Sequence, residues 1–272
     1  MTRTWHCAVL AAAVVLVAGS VLAQEVVLKD PAGDDFGPGT YIYPTDAVYK
    51  AGSFDLRQLK VVAKGDKVNL EVTVGTDLAD PWGMGGGFAV QMAFVFIQTD
   101  PAAAGLTKTY PGLNVQFAPD SKWQKCVIMS PQSPGRVKTE VETKAPDLLS
   151  ATVIPTRTRG SGRVISTQVA LADLGGGDPT KWRYQVLMQS NEGYPAATDL
   201  LTRKVNEFEG QHRFGGGNDG DCDPHVMDLF AGAAMGDKEE IELQKKMLAY
   251  ECAPDGSVKS MATLTMVGGA AK

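Results

Sequence analysis

Between residues 54 and 74 the chain describes a pair of strands almost residue by residue, and this stretch constrains the fold more than any other. Phe54-Asp55-Leu56-Arg57-Gln58-Leu59-Lys60-Val61-Val62-Ala63 alternates and ends in β-branched residues. Gly65-Asp66 follows as a turn. Lys67-Val68-Asn69-Leu70-Glu71-Val72-Thr73-Val74 then sets Val68, Leu70, Val72 and Val74 on one face. A period of two is the pleat of a strand, and a turn between two such runs predicts a hairpin. Its apolar face requires a second layer to cover it.

Other runs supply that layer. Residues 88–97 (Phe88 to Ile97) are almost continuously apolar, which predicts a central strand covered on both faces. Further strands are expected at 26–28, 114–117, 126–129, 137–142, 151–154, 163–169, 182–189 and 260–267, with turns such as Pro119-Asp120, Pro134-Gly135 and Gly160-Ser161-Gly162 between them. One helix is expected, over 237–250, capped by Asp237 with acids first and lysines after. The spacing predicts an all-β fold: an antiparallel β-sandwich, jelly-roll or immunoglobulin-like, with one short C-terminal helix. No internal repeat or long linker interrupts residues 24–272, which read as one domain.

Residues 1–23 read as a signal peptide: Arg3, an apolar run from Ala8 to Ala18, and Val21-Leu22-Ala23 as a small-residue cleavage site before Gln24. The apolar run is shorter than the roughly 20 residues a membrane span needs. The expected location is therefore the periplasm or the medium, with no transmembrane segment. The chain carries 26 Lys and Arg against 31 Asp and Glu, a net charge of −5, and loss of Arg3 makes it −6. Mild, unclustered acidity argues against nucleic acid and anionic lipid as partners.

After the leader three cysteines remain. Cys222 and Cys252 sit in polar, turn-rich contexts and are expected to pair in an oxidising compartment, and Cys126 lies in a strand-like run as a buried thiol. There is no Cys-x-x-Cys, no His-Glu-x-x-His and no Gly-x-Ser-x-Gly. No pair of acids stands out as a glycosidase pair. The reading is therefore of a chain that is not an enzyme.

Two stretches are chemically dense. In Asp30-Pro31-Ala32-Gly33-Asp34-Asp35-Phe36-Gly37-Pro38-Gly39-Thr40-Tyr41-Ile42-Tyr43-Pro44, glycines and prolines allow a loop to turn its carboxylates inward, as a hard cation such as Ca²⁺ requires. The same residues also suit a solvated loop of Asx turns. The second stretch, Phe214-Gly215-Gly216-Gly217-Asn218-Asp219-Gly220-Asp221-Cys222-Asp223-Pro224-His225-Val226-Met227-Asp228, spaces Asp219, Asp221 and Asp223 like the opening of an EF-hand. Pro224 and Phe230 then stand where that loop needs Gly and Glu.

Taken in order, the Asp30 to Pro44 stretch, Phe54-Asp55-Leu56, Asp80-Pro81-Trp82, and Phe214-Gly215-Gly216-Gly217 with Asp223-Pro224-x-Val226-x-Asp228-Leu229 resemble the glucodextranase C-terminal-like module. That module is similar to family 9 carbohydrate-binding and DOMON-type β-sandwich domains, and is also found appended to amylopullulanase-type enzymes. The likeness runs from about Glu25 to Val267. It implies a sandwich that binds polysaccharide or envelope glycan, with calcium as a structural ion on Asp30, Asp34 and Asp35, joined by Asp55; Asp219, Asp221 and Asp223 form a possible second site. Because the relatives accompany enzymes, it also implies an exported glycoside hydrolase as partner. Cys222 and His225 depart from the pattern.

Sugar binding needs flat aromatic faces with polar groups at their rim. Trp82, set among turn residues, is the first candidate platform, though a loop anchor is an equal reading; Tyr41, Tyr43 and Tyr194 follow. Trp123 and Trp182 open strands and read as core. A DOMON-like haem protein is an alternative, with His212, His225, Met84, Met92 and Met188 as axial candidates. An envelope interaction protein holding a partner is a third.

Overall fold

The computed structural model describes residues 24–268 and Met1, so the expected leader lies outside the described residues apart from Met1. In chain order the strands are β1 (Gln24–Lys29), β2 (Leu56–Lys64), β3 (Lys67–Val74), β4 (Gln91–Gln98), β5 (Val115–Phe117), β6 (Lys125–Met129) and β7 (Thr152–Val153). They continue with β8 (Thr158–Ser161), β9 (Val164–Ala170), β10 (Arg183–Ser190), β11 (Asp228–Leu229), β12 (Glu251–Cys252), β13 (Val258–Ser260) and β14 (Ala262–Leu264). Two α-helices occur among the described residues, α1 (Pro134–Lys144) and α2 (Glu239–Met247).

Two five-stranded sheets form the body. One runs β1-β2-β3-β9-β8 and the other β11-β10-β4-β6-β7. The hairpin read from the sequence is β2 and β3, antiparallel, with Lys64 opposite Lys67 across the turn. Val68, Leu70, Val72 and Val74 are all buried and meet Ala93, Val95, Val186 and Met188 of the facing sheet in one core. Two inner faces interdigitating this way make a sandwich. The fold is all-β.

Strand β4 is buried along its whole length because a second core covers its other side. There Met92, Phe94 and Phe96 pack with Tyr110, Trp123 and Leu187, under α1 and the loops. Cys126 is a buried free thiol in this core. Pairing is antiparallel through most of both sheets, with a parallel contact at β6–β7, and β5 and β14 form a separate parallel pair.

The strand expected at 137–142 is instead α1. Ser133 accepts a hydrogen bond from the Arg136 amide at 3.2 Å and Pro134 occupies the first turn, which starts a helix. Val137 and Val141, four apart, turn to the core, and Glu140 pairs with Arg136 at 2.8 Å and Lys144 at 2.7 Å. Asp237 does not cap α2; Glu240 reaches back to accept the Met235 and Gly236 amides at 3.1 and 3.0 Å.

Candidate functional site

The two dense stretches meet. Ile42 bridges Gly215, each amide donating to the other's carbonyl at 2.9 and 3.0 Å. Gly216 has φ +81°, and a Cβ there would run into the Thr40 carbonyl, so only glycine allows this closeness. The Gly37 amide donates to the Met227 carbonyl at 2.8 Å, and the Tyr41 hydroxyl donates to the Pro224 carbonyl.

This closure buries acids. One carboxylate oxygen each from Asp30, Asp34 and Asp228 fall within 4.8 Å of one another, all three residues buried. Asp228 arrives on β11, where its carboxylate accepts the Leu56 amide at 2.7 Å and the Leu229 amide at 2.8 Å. Both Asp30 carboxylate oxygens and one of Asp34 have no hydrogen-bond partner. Burial, then Asp34 and Glu240 nearby, push the Asp30 carboxyl up to about 10. Burial, then Asp55, push Asp34 up to about 7. Burial, then Asp30 and Asp34, hold Asp228 well above the usual carboxylate range. Orphaned, mutually repelling oxygens without nitrogen or sulfur donors fit a hard cation.

Asp35 and Asp55 lie beside this cage in supporting roles. Asp35 receives the Tyr43 hydroxyl. Asp55 accepts the Gly33 amide at 3.1 Å and pairs with Arg57 at 3.5 Å. On α2, Gln244 donates to the Asp34 carbonyl at 2.6 Å and accepts from Leu229 at 3.0 Å, tying the helix to the cage.

The later aspartates do not gather. Asp219 accepts the Glu207 amide, and Asp221 faces Lys204 at 3.0 Å and His225 at 3.5 Å. Asp223 is buried against the Asn218 amide. Among the described residues the one cluster of three acids with metal-ligand spacing is Asp30, Asp34 and Asp228. Cys222 and Cys252 form a disulfide with a Cα separation of 5.4 Å.

The aromatic candidates divide. Tyr41 is 2% exposed and Tyr43 is half-buried, both in a cluster with Tyr49, Phe54 and Phe214, so Tyr41 has no free face for a sugar. Trp82 (40% exposed) and Tyr194 (96% exposed) line one open cleft of about 420 Å³. Met84 and His212 line it too, with Gln132, Asn191, Glu192 and Arg203 as polar rim. The Asp80 carboxylate folds the Trp82 loop by accepting the Met84 and Gly85 amides, each at 2.7 Å, and the Gly160 amide ties that loop to β8 through the Gly86 carbonyl. Glu192 accepts the Tyr194 amide at 2.9 Å and pairs with Arg203 at 2.8 Å, and Arg203 donates to the His212 carbonyl at 2.7 Å. Of the other haem candidates, Met92, Met188 and His225 are packed inside, and the Nδ1 of His225 accepts the Val205 amide at 3.2 Å.

Cleft and cage are joined by aromatic rings. Tyr43, on Asp35, meets Phe214 edge-on at 5.6 Å; Phe214 meets Tyr49 at 5.8 Å; Tyr49 meets Trp82 at 6.4 Å and His212 at 5.9 Å. Sequence reading missed two members. Asp228 lies far from the first acids, its one signal being its place in the second dense stretch. Arg203 carried no signal in the sequence.

No curated relative matches the chain. Residues 26–267 match the family model described as the C-terminal binding module, SLH-like, of glucodextranase. Nearly the whole described chain, with its two sheets, its carboxylate cage and its aromatic cleft, falls inside that match, and the protein belongs to this family of binding modules.

Proposed function

We propose that the protein is an exported, non-catalytic module that binds polysaccharide or envelope glycan through the Trp82–Tyr194 cleft. The observation that carries the reading is the meeting of two exposed rings, from loops more than a hundred residues apart in sequence, over a mainly apolar cleft with an amide, carboxylate and guanidinium rim. Sugar rings offer C–H faces to stack and hydroxyls to bond, and this lining meets both needs. The binding-module family supports a holding rather than a transforming role. The leader-like residues 1–23 and the disulfide support export. No described helix is long and apolar enough to cross a membrane.

Calcium belongs to the same proposal as a structural ion. Asp30, Asp34 and Asp228 would hold it, and its charge would neutralise buried carboxylates that otherwise repel. An exported glycoside hydrolase is the proposed partner. The test is retention on a polysaccharide panel with wild type and Trp82→Ala. A loss of affinity of about fivefold or more with unchanged melting temperature is expected, since stacking on an exposed ring is worth roughly 1 kcal/mol or more. Equal retention by both proteins would sink the reading.

A further inference from the structure

The cleft does not end at its rings. On one side Met84 and Gln132 form a wall shared with a second depression of about 170 Å³, which runs on to Thr156 and Arg157. On the other, Glu192, Tyr194, Arg203 and His212 form a wall shared with a third, of about 250 Å³, which runs on to Asn206 and Arg213. The two flanking depressions have no lining residue in common. They therefore adjoin the cleft at different lining residues, and the cleft lies between the two.

A site for a chain terminus needs a closed end, where a polar wall meets the last hydroxyls and excludes a further sugar. Here both ends lead onward to exposed polar side chains. Arg157 and Arg213, one at each end, are exposed, and no acidic side chain pairs with either among the described residues. Tyr194, bordering both the cleft and the third depression, gives a chain a ring to pass over rather than a barrier.

Resting on the glycan reading above, we propose that this open-ended groove takes an internal stretch of a linear glycan, with at least three consecutive sugar units along its three depressions, and does not recognise a chain end.

The test is calorimetric titration of the full chain with malto- and isomalto-oligosaccharides from disaccharide to hexasaccharide, each before and after borohydride reduction of its end. For the series that binds, affinity is expected to rise about tenfold or more from disaccharide to hexasaccharide, and reduction to change hexasaccharide affinity less than about twofold. Arg157→Ala and Arg213→Ala are each expected to flatten the length dependence. Affinity that saturates at the disaccharide, or falls about tenfold on reduction, would show end recognition and overturn the groove while leaving the glycan reading intact. A length dependence unchanged in both Arg variants would overturn it as well. Binding of neither series would overturn this proposal, while the glycan reading stands or falls by the polysaccharide panel; binding indifferent to Trp82→Ala would overturn both.

Discussion

Asp30, Asp34 and Asp228 repel one another in a buried space, and Arg57, the nearby cation that moderates Asp30 and Asp34, is already engaged by Asp55. Their raised pKa values give a sign. Such a carboxyl leaves stability intact below its unfolded value and removes stability as pH climbs towards the folded one. For Asp34 the window runs from 3.8 to about 7, and for Asp30 from 3.8 to about 10. Metal-free protein is therefore expected to melt several degrees lower at about pH 8 than at about pH 5. Saturating Ca²⁺ is expected to raise the pH 8 midpoint by roughly 5–10 °C, as binding to the folded state alone implies. In Asp34→Asn the calcium shift should vanish and the pH slope flatten. A full shift in that variant, followed by scanning calorimetry, would remove Asp34 from the cage. Asp30 and Asp34 stood out in the sequence because they crowd one Gly- and Pro-rich loop. Asp228 did not, because its neighbours come from β2 and the first loop, and only folding brings them near. Tyr41 misled for a related reason: its flanking residues look like an exposed loop, yet the Gly215–Ile42 contact closes over it.

At the scale of elements, strands with strict alternation could be read directly, since one buried face imposes a period of two; β3 falls on the expected residues. Strand β4 was also legible, its unbroken apolar run matching cores on both sides. Helix α1 was not, because Val137 and Val141 suggest a strand by type. Their spacing of four, the Ser133-Pro134 start and the Glu140 ion pairs are the signals that decide it. The disulfide holds another kind of element, the Gly-rich loop that carries Cys222, against β12. It closes a stretch of 30 residues that includes β11 and α2. A crosslink of that span is worth about 3.6 kcal/mol in chain entropy, so reduction is expected to lower the melting midpoint by roughly 10 °C. Because α2 braces the cage through Gln244, reduction should also weaken the calcium response. Thermal melts with and without reductant, in calcium and in chelator, measure both effects. Identical midpoints with and without reductant would mean that the sandwich alone holds the loop in place.

At the scale of the molecule, the ring path from Tyr43 through Phe214 and Tyr49 to Trp82 connects the proposed cation site with the proposed glycan cleft. Loosening the cage should let those rings shift, so chelation is expected to lower glycan affinity by about tenfold, within the usual range of coupling between sites. Affinity that does not change in chelator would make the cage a stabiliser of the scaffold and no more. The bond from the Leu56 amide to Asp228 spans 172 positions. That span sets an order of events during synthesis. While the front of the chain leaves the ribosome, its acids have no counterpart to close on, and β2 lacks the acceptor for its first amide. Only when the last quarter is made can the front lock into place. Non-local closure of this kind slows folding, which suits the export proposed above.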